Sequence, residues 1–427
     1  MKSFLLFTAF LVLFASSCNH DTDQKASGAE FVYDADPESA GFSSEKLAVI
    51  DSLLNDYVNK GMIPNVVTFV ARHGKVVHHK AYGWKNIENK EAVELNSIFR
   101  NASQTKALAS VGLMKLYERG RFMLDEPVSK YIPEFRNPRV LVKINPADSS
   151  CETRPAKSEI TIRQLLSHTS GIPYGNAVYI KARIPGVNSL EPIKIGDVVK
   201  KIATLPLDHD PGERFTYGLN TDVAGYLIEV LSGQPLDEYL RNELFIPLEM
   251  NDTYFYLPAE KESRLVTLYA NDSVNGPLYV SKNIANQTYP VAGAKTYLSG
   301  GAGASGTIQD YANFCKMLLN GGSFNGKQIL GRKTIDLMIT NQIGENEVWT
   351  RQHKFGLGFE TVTEKSLTRH PGSLNAFGWG GMYSTDYIID PKEDMIILIY
   401  TNVHPFSNTY INQQFRNLVY SALKSIE

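Results

Sequence analysis

The stretch FRNASQTKALAS, residues 99–110, has Ser103 three residues before Lys106 at the start of a predicted helix. Residues three apart share a helix face, so the Ser103 hydroxyl and the Lys106 amine can touch. Burial, the positive end of the helix dipole or a nearby cation would each lower the pKa of Lys106, and a neutral lysine can accept the serine proton. The alternative is an ordinary helix start, with Ser103 as a cap and Lys106 in solvent. The local pattern alone favours this alternative.

The composition of the 427-residue chain limits the classes of function. Apolar residues make up 43% of the sequence, enough for one large domain or two modest ones with a real core. The formal net charge is −2, and no basic run is interleaved with aromatic residues, so nucleic acid is not an expected partner. Cys151 and Cys315 stand far apart without CxxC spacing, so no metal site is predicted.

The N-terminus, MKSFLLFTAFLVLFASSC, has the pattern of a secretory signal over residues 1–17. Cys18 directly follows small residues and resembles the lipidated cysteine of bacterial lipoproteins, although Ala15 stands where those sequences usually carry leucine. A plain cleaved signal is the alternative. The polar stretch that continues to residue 40 is typical of a flexible tether. We therefore expect a protein of the cell envelope, periplasmic or on the cell surface, held to the membrane by a lipid on Cys18.

Hydrophobic periodicity predicts secondary structure at both ends of the remaining chain. A helix begins at Ser43 or Ser44 and ends at Gly61, and two β-rich runs follow, joined by a turn at His73-Gly74. Near the C-terminus, FGLGFE and YSTDYIIDPKEDMIILIYTN predict further strands, and a last helix covers about residues 408–423. Residues 103–290 are mainly of helical and loop character.

This arrangement predicts an α+β fold in which chain-distant halves form one sheet. We expect a single domain over residues 41–427. Its α/β part comprises residues 41–100 and 291–427, and an inserted helical part comprises residues 101–290.

Three blocks of sequence favour a catalytic role for Ser103 and Lys106 over an ordinary helix start. They are NSIFRNASQTKALASVGLMKLYERGRFMLDEPVSKYIPEF (96–135), ITIRQLLSHTSGIPYG (160–175) and GGAGASGTIQDYANFCKMLLNGG (300–322). In this order they resemble the β-lactamase-related serine hydrolases, which include class C β-lactamases, DD-peptidases and family VIII carboxylesterases. The resemblance covers about residues 40–425. It implies the β-lactamase/transpeptidase-like fold, an antiparallel sheet flanked by helices plus a helical subdomain, with Ser103 as nucleophile and Lys106 as its base.

The same family carries a tyrosine across the cleft from the lysine, and HDPGERFTYGLNTDVAGYLIEVLSG supplies Tyr217. In class C β-lactamases the motif is Tyr-x-Asn, whereas here Asn220 comes one place late and Asp222 lies further on. This spacing is more similar to the esterase branch. The resemblance implies that Tyr217 is catalytic, acting as a base beside a cation or relaying protons with Lys106. A packed core aromatic is the alternative.

The last motif lies in NAFGWGGMYSTDYIIDP, where Trp379, Gly380 and Gly381 align with the Lys-Thr-Gly strand of penicillin-recognising enzymes. An indole is uncharged and cannot hold a substrate carboxylate as lysine does, so we expect an apolar wall. The glycines allow substrate close to the strand, although a strand bulge would also explain them. By resemblance, the oxyanion hole would be formed by the backbone N–H groups of Ser103 and Met382.

These motifs predict an esterase or acyltransferase that forms an acyl-enzyme intermediate. The expected substrates are esters, or else amides, of uncharged acyl groups, and neither a metal nor an organic cofactor is expected. A β-lactamase or D-amino-acid peptidase is the first alternative. It needs a cation for the substrate carboxylate, and Arg351, Lys354 and Arg369 are the candidates. The second alternative is a surface binding protein that keeps the fold without turnover. Such a protein would be expected to lose the catalytic residues, all of which are present.

Overall fold

The structure is a computed structural model that describes residues 31–145, 147–274, 276–408 and 410–424. The predicted signal, residues 1–17, and the predicted lipidation site, Cys18, lie outside the described residues. Among the helices of the described residues, none combines the length and the apolar character needed to cross a bilayer.

Helices and short strands alternate along the described chain. The helices are α1 Ser44–Asn59, α2 Thr105–Glu118, α3 Ile162–Leu166, α4 Ala177–Ala182, α5 Ile195–Ala203, α6 Asn220–Ser232, α7 Leu236–Leu240, α8 Ile284–Ala292, α9 Ile308–Leu319, α10 Arg332–Ile339 and α11 Ile411–Ser421. The strands are β1 Asn65–Arg72, β2 Lys75–Asn86, β3 Glu91–Ala92, β4 Phe99–Arg100, β5 Arg139–Ile144, β6 Cys151–Pro155, β7 Tyr269–Ala270, β8 Tyr279–Val280, β9 Ser305–Gly306, β10 Ser323–Phe324, β11 Lys327–Gln328, β12 Lys354–Phe355, β13 Glu360–Thr361, β14 Phe377–Gly380, β15 Asp386–Asp390 and β16 Met395–Tyr400.

One eight-stranded antiparallel sheet joins the two ends of the chain in the order β12-β13-β14-β15-β16-β1-β2-β3. The first and last long strands meet at its centre, where β1 pairs with β16 and Phe69 lies opposite Leu398. The α+β class and the predicted sheet of chain-distant halves are thereby confirmed.

Local turn chemistry explains both hairpins of this sheet. His73 and Gly74 have φ values of 54° and 73°, as the tight turn between β1 and β2 requires. Between β15 and β16, the Asp390 carboxylate accepts hydrogen bonds from the backbone N–H groups of Lys392 and Glu393 at 3.1 and 3.2 Å. The aspartate therefore begins the turn by satisfying backbone donors that the strand no longer pairs.

Helices cover both faces of the sheet, which is why every residue of β1 is buried. Helices α1 and α11 pack on one face through residues such as Ile50 and Phe415. Helices α2 and α9 belong to the core on the other face, with Leu108 and Phe314 among its members. Ser43 caps α1 by accepting a hydrogen bond from the Lys46 backbone N–H, as predicted.

Three segments differ from the sequence expectations. FGLGFE is a tight hairpin instead of one strand, because Gly358 has a φ of 97° and the chain reverses between β12 and β13. The predicted helical region contains the antiparallel pairs β5-β6 and β7-β8. Residues 31–40, assigned to the tether by composition, pack on the domain, since the Phe31 ring lies 5.0 Å from the Phe69 ring and the Val32 N–H donates to the Gly74 carbonyl.

The central pairing of β1 with β16 generates a stability prediction. Leu398 is 0% exposed, and Leu398→Ala should lower the free energy of unfolding by about 2–5 kcal/mol because it leaves a cavity in the core. Leu374→Ala is the matched control, since Leu374 is 41% exposed. Urea unfolding followed by circular dichroism measures both, and equal losses in the two variants would contradict this account of the core.

Candidate active site

Ser103 lies in a short 3-10 turn, Ala102–Gln104, directly before α2. Ala102 has a φ of 45°, a left-handed conformation that costs an alanine about 1–2 kcal/mol. The surroundings hold this conformation, because the Asn101 N–H donates to the Ala304 carbonyl and the Thr105 hydroxyl donates to the Ala102 carbonyl. The strained turn brings the partly exposed Ser103 to the wall of a cavity of about 560 Å³.

Lys106 is 2% exposed, and its ammonium has an acceptor for each of its three N–H bonds. The Nζ atom lies 3.3 Å from the Ser103 hydroxyl, 2.7 Å from the Tyr174 hydroxyl and 2.7 Å from the Gly301 carbonyl oxygen. The two residues of the opening stretch are therefore in contact, and Lys106 is a buried group instead of a solvated one.

The pKa of Lys106 departs from the sequence expectation. Burial acts to lower this pKa, but Tyr174, Tyr217 and the Asp222 carboxylate outweigh it, so the pKa is raised above its ordinary value. The expected lowering was wrong because the sequence did not reveal the acceptors around the amine. Burial also raises the pKa of Tyr174, and Lys106 only partly offsets this effect. Lys106 is consequently protonated in the resting site.

Tyr217 presents its ring face, not its hydroxyl, to the lysine. The Lys106 Nζ atom lies 4.8 Å from the ring centroid, a cation–π distance. The Tyr217 hydroxyl instead accepts a hydrogen bond of 3.0 Å from the indole N–H of Trp379. Two of the predicted site residues are thus linked to each other directly, and Tyr217 lies across from Lys106.

An aromatic wall extends from Tyr217 along the cavity. Trp379 is 6% exposed on β14 and stacks on Trp349, with ring centroids 5.6 Å apart. Phe355 meets Trp379 edge-on at 5.3 Å. Trp349 is 48% exposed, so it offers most of the aromatic surface to a ligand. The apolar wall expected at Trp379 is present, but Trp349 forms its open face.

Gly380, Gly381 and Met382 line the cavity at the end of β14. A side chain at Gly381 would put its Cβ atom 2.5 Å from the Asn101 carbonyl oxygen, so the glycine allows the strand to approach the serine turn. Within the described ranges, the backbone N–H groups of Ser103 and Met382 donate to no protein acceptor. Both are available to a ligand oxygen, as an oxyanion hole requires.

The candidate cations occupy different positions. Arg351 and Arg369 line the cavity, whereas the Lys354 amine donates to the Asn346 carbonyl at 2.7 Å and lies away from it. Arg351 packs on Trp349, with 4.9 Å between the guanidinium carbon and the ring centroid, and forms an ion pair of 3.0 Å with Glu360.

Asn220 does not take the place of the missing motif asparagine. Its amide donates to His168 Nδ1 at 3.0 Å and to the Ile172 carbonyl at 3.2 Å, and it accepts from the Ser170 hydroxyl. Burial holds the pKa of His168 well below its usual range, so this histidine is neutral and packs behind Tyr217. Asn220 therefore fixes the loop under the tyrosine.

Sequence reasoning did not single out Tyr174 or Trp349. Tyr174 belongs to the quoted block ITIRQLLSHTSGIPYG, so the block gave a usable signal. Trp349 lies in a loop outside all motifs, and only the folded chain brings it to Trp379.

Comparison with known proteins identifies the family. The Beta-lactamase family matches residues 50–417. Esterase EstB from Burkholderia gladioli is 28% identical over 388 residues, covering 86% of this chain and 93% of that protein. An N-acetylmuramyl-L-alanine amidase from Bacillus subtilis is 28% identical over 424 residues, covering 94% of this chain and 91% of that protein. EstCE1, a hydrolase with promiscuous acyltransferase activity, has a similar structure, with a TM-score of 0.75 and 26% identity. The match covers 88% of this chain and 99% of EstCE1.

The chain therefore belongs to the Beta-lactamase family of serine hydrolases, and the resemblance in its sequence blocks is confirmed. The β-lactamase/transpeptidase-like fold is confirmed as well.

The protonated state of Lys106 generates a prediction on pH. If neutral Lys106 accepts the serine proton, labelling of Ser103 by a fluorophosphonate should accelerate steadily between about pH 6 and 9, because the neutral fraction grows as pH approaches a raised pKa. Intact-mass spectrometry gives the rate, with Ser103→Ala as the blank. A rate that levels off near neutral pH would contradict the raised pKa.

The contact between Tyr174 and Lys106 generates a second prediction. Tyr174→Phe removes an acceptor 2.7 Å from Nζ, so the amine is held less firmly toward Ser103. The variant also lowers the pKa of Lys106, but the gain in neutral amine matters least at alkaline pH, where labelling should slow by roughly 10–100-fold. Tyr410→Phe, at an exposed tyrosine, is the matched control. Equal rates in the two folded variants would show that Tyr174 is dispensable.

Proposed function

We propose that this member of the Beta-lactamase family is an esterase or acyltransferase that forms an acyl-enzyme on Ser103, with uncharged acyl groups as substrates. The observation that carries the proposal is the contact of 3.3 Å between Lys106 Nζ and Ser103 Oγ at the wall of an open cavity. A cavity of this volume is typical of small-molecule sites.

In the first step, neutral Lys106 accepts the Ser103 proton while Oγ attacks the ester carbonyl carbon. The carbonyl oxygen becomes an oxyanion and receives hydrogen bonds from the Ser103 and Met382 N–H groups. The C–O bond to the leaving alcohol then breaks, and the alcohol oxygen takes up the proton held by Lys106. The hydroxyl of Tyr174, in contact with Nζ, can relay this proton.

In the second step, water or an acceptor alcohol attacks the acyl-enzyme. Its proton passes to Lys106, and the C–O bond to Ser103 breaks. The proton then returns to Oγ, which restores the free serine. The chemistry needs only side chains and backbone donors of this chain.

The cavity wall supports the choice of uncharged groups. Trp349 and Trp379 offer aromatic surface beside Ser103, and apolar area removed from water contributes about 25 cal/mol per Å². The Asn220 amide is hydrogen-bonded to His168 and Ile172, so it does not take the place of the asparagine in the Tyr-x-Asn motif. The similarity to EstB and EstCE1 supports ester chemistry and acyl transfer.

A D-amino-acid peptidase or β-lactamase is the second candidate, because Arg351 and Arg369 line the cavity. The similarity to the Bacillus subtilis amidase agrees with a cell-wall substrate. We rank it second because Glu360 already neutralises Arg351 at 3.0 Å, so its charge is less available to a carboxylate. A binding protein without turnover is the third candidate.

The cell-envelope location and the lipid anchor on Cys18 stay part of this proposal. Residues 31–34 enter the domain beside the hairpin of β1 and β2, since the Val32 N–H donates to the Gly74 carbonyl. A segment leading from an anchor on Cys18 would therefore join the domain beside this hairpin.

The deciding experiment exposes the purified full-length chain to a nitrophenyl butyrate, a cephalosporin and a D-alanyl-D-alanine peptide. We expect nitrophenol release and a butyryl adduct by intact mass, both lost in Ser103→Ala, because only the serine carries the acyl group. Matched Arg351→Gln should leave ester turnover within about threefold, since an uncharged ester makes no ion pair.

Fast opening of the cephalosporin or cleavage of the peptide, weakened by Arg351→Gln, would overturn the esterase proposal in favour of the second candidate. Absence of turnover and adduct with all three compounds would overturn both and leave the binding protein.

A further inference from the structure

We propose that Asp222 is a positioning residue that holds Lys106 through the backbone of Gly301 and balances its charge. The inference rests on the proposed function, because it assigns a role within the Ser103 site. Asp222 lies in the first turn of α6, the helix that follows Tyr217, and is buried.

A short chain of hydrogen bonds joins the carboxylate to the lysine. Asp222 Oδ1 accepts from the Ser299 hydroxyl at 2.6 Å and from the Gly301 N–H at 3.4 Å. The carbonyl oxygen of the same Gly301 accepts from Lys106 Nζ at 2.7 Å. The carboxylate thus orients the residue whose carbonyl is one of the three acceptors of the ammonium.

Close packing makes this orientation firm. A Cβ atom on Gly301 would lie 2.5 Å from Asp222 Oδ2, and one on Gly300 would lie 2.5 Å from the Thr221 carbonyl oxygen. The two glycines allow their backbone to rest directly on α6. Because no side chain separates the segment from the helix, a shift of Asp222 has to move the acceptor of Lys106.

The charges around the lysine point to an electrostatic role as well. Tyr174, Tyr217 and Asp222 face Lys106, and His168 lies near enough for the ammonium to lower its pKa. Asp222 is the one carboxylate among these described groups. Burial raises the pKa of Tyr174 and holds that of His168 well below its usual range, so both are uncharged near pH 7, and Asp222 is the carboxylate that can offset the ammonium.

The groups that face Asp222 define its own ionisation. Burial, the largest effect, raises the pKa of this carboxyl above its ordinary value, and the Ser299 hydroxyl, Lys106 and the Gly301 N–H limit this rise by favouring the ionised form. Tyr297 and Tyr174 also face it, and the carboxylate raises the pKa of both phenols. The carboxylate and the ammonium therefore stabilise each other across one backbone carbonyl.

The test is the pH profile of fluorophosphonate labelling in Asp222→Asn, measured on the full-length chain between about pH 6 and 10.5. The asparagine keeps the shape and an acceptor for Ser299 but loses the charge. Lys106 then has a pKa lower by roughly one to three units, so the rate should begin to level off within this range, whereas that of the wild type should still rise at the upper end. A purely structural role would lower the rate at every pH without moving the profile.

Asp310→Asn is the matched control, since Asp310 is also buried and accepts hydrogen bonds from two hydroxyl groups, those of Thr253 and Thr307. Its profile should coincide with that of the wild type. If Asp222→Asn does not fold, Ser299→Ala carries the test, because loss of the hydroxyl weakens the ionised form of Asp222 and should shift the profile in the same direction by a smaller amount.

An unchanged profile in a folded variant, with the wild type labelled on Ser103, would overturn the role of Asp222 and leave the proposed function standing. Failure to label the wild type at any pH would overturn both.

Discussion

The site depends on the burial of one ammonium group. A buried cation is costly unless each N–H bond finds an acceptor, and Lys106 obtains its acceptors from Ser103, Tyr174 and Gly301. These residues lie in the three sequence blocks that resemble the family. The need to satisfy a single side chain therefore holds three distant segments at fixed positions around the cavity.

The sheet provides the frame for this arrangement. Its central pair, β1 and β16, joins the two ends of the chain, and β14, which pairs with β13 and β15, carries Trp379 past the serine turn. The approach is close because Gly381 has no side chain to contact Asn101. Tyr217 then bridges the sheet and the helical region, with the Trp379 indole on one side and the Lys106 ammonium on the other. The cleft is thus lined by residues that are distant in sequence, such as Ser103, Tyr217 and Trp379.

Elements with strong local signals could be predicted from the sequence. The Ser43 cap, the His73-Gly74 turn and the two last strands follow from short-range physics, and the contact of Ser103 with Lys106 follows from helical spacing. FGLGFE was misread because a single glycine, Gly358, adopts a positive φ that reverses the direction of an apolar run.

What the sequence could not provide was the environment of each group. The raised pKa of Lys106 depends on Tyr174 and Asp222, which reach it only through tertiary packing. Trp349 reaches the site from a loop without a motif, and the direction of the Asn220 amide is set by His168 and Ile172. Long-range contacts of this kind leave no periodic trace in a sequence.

The stacked indoles have a consequence for how the protein can be observed. The chain has three tryptophans, and two of them, Trp349 and Trp379, lie in the cavity with ring planes 30° apart. Their fluorescence and their coupled ultraviolet transitions depend on what lies beside them, while Trp84 is on β2, away from the cavity lining. Intrinsic tryptophan fluorescence therefore reports on whether the cleft is occupied, without any attached dye.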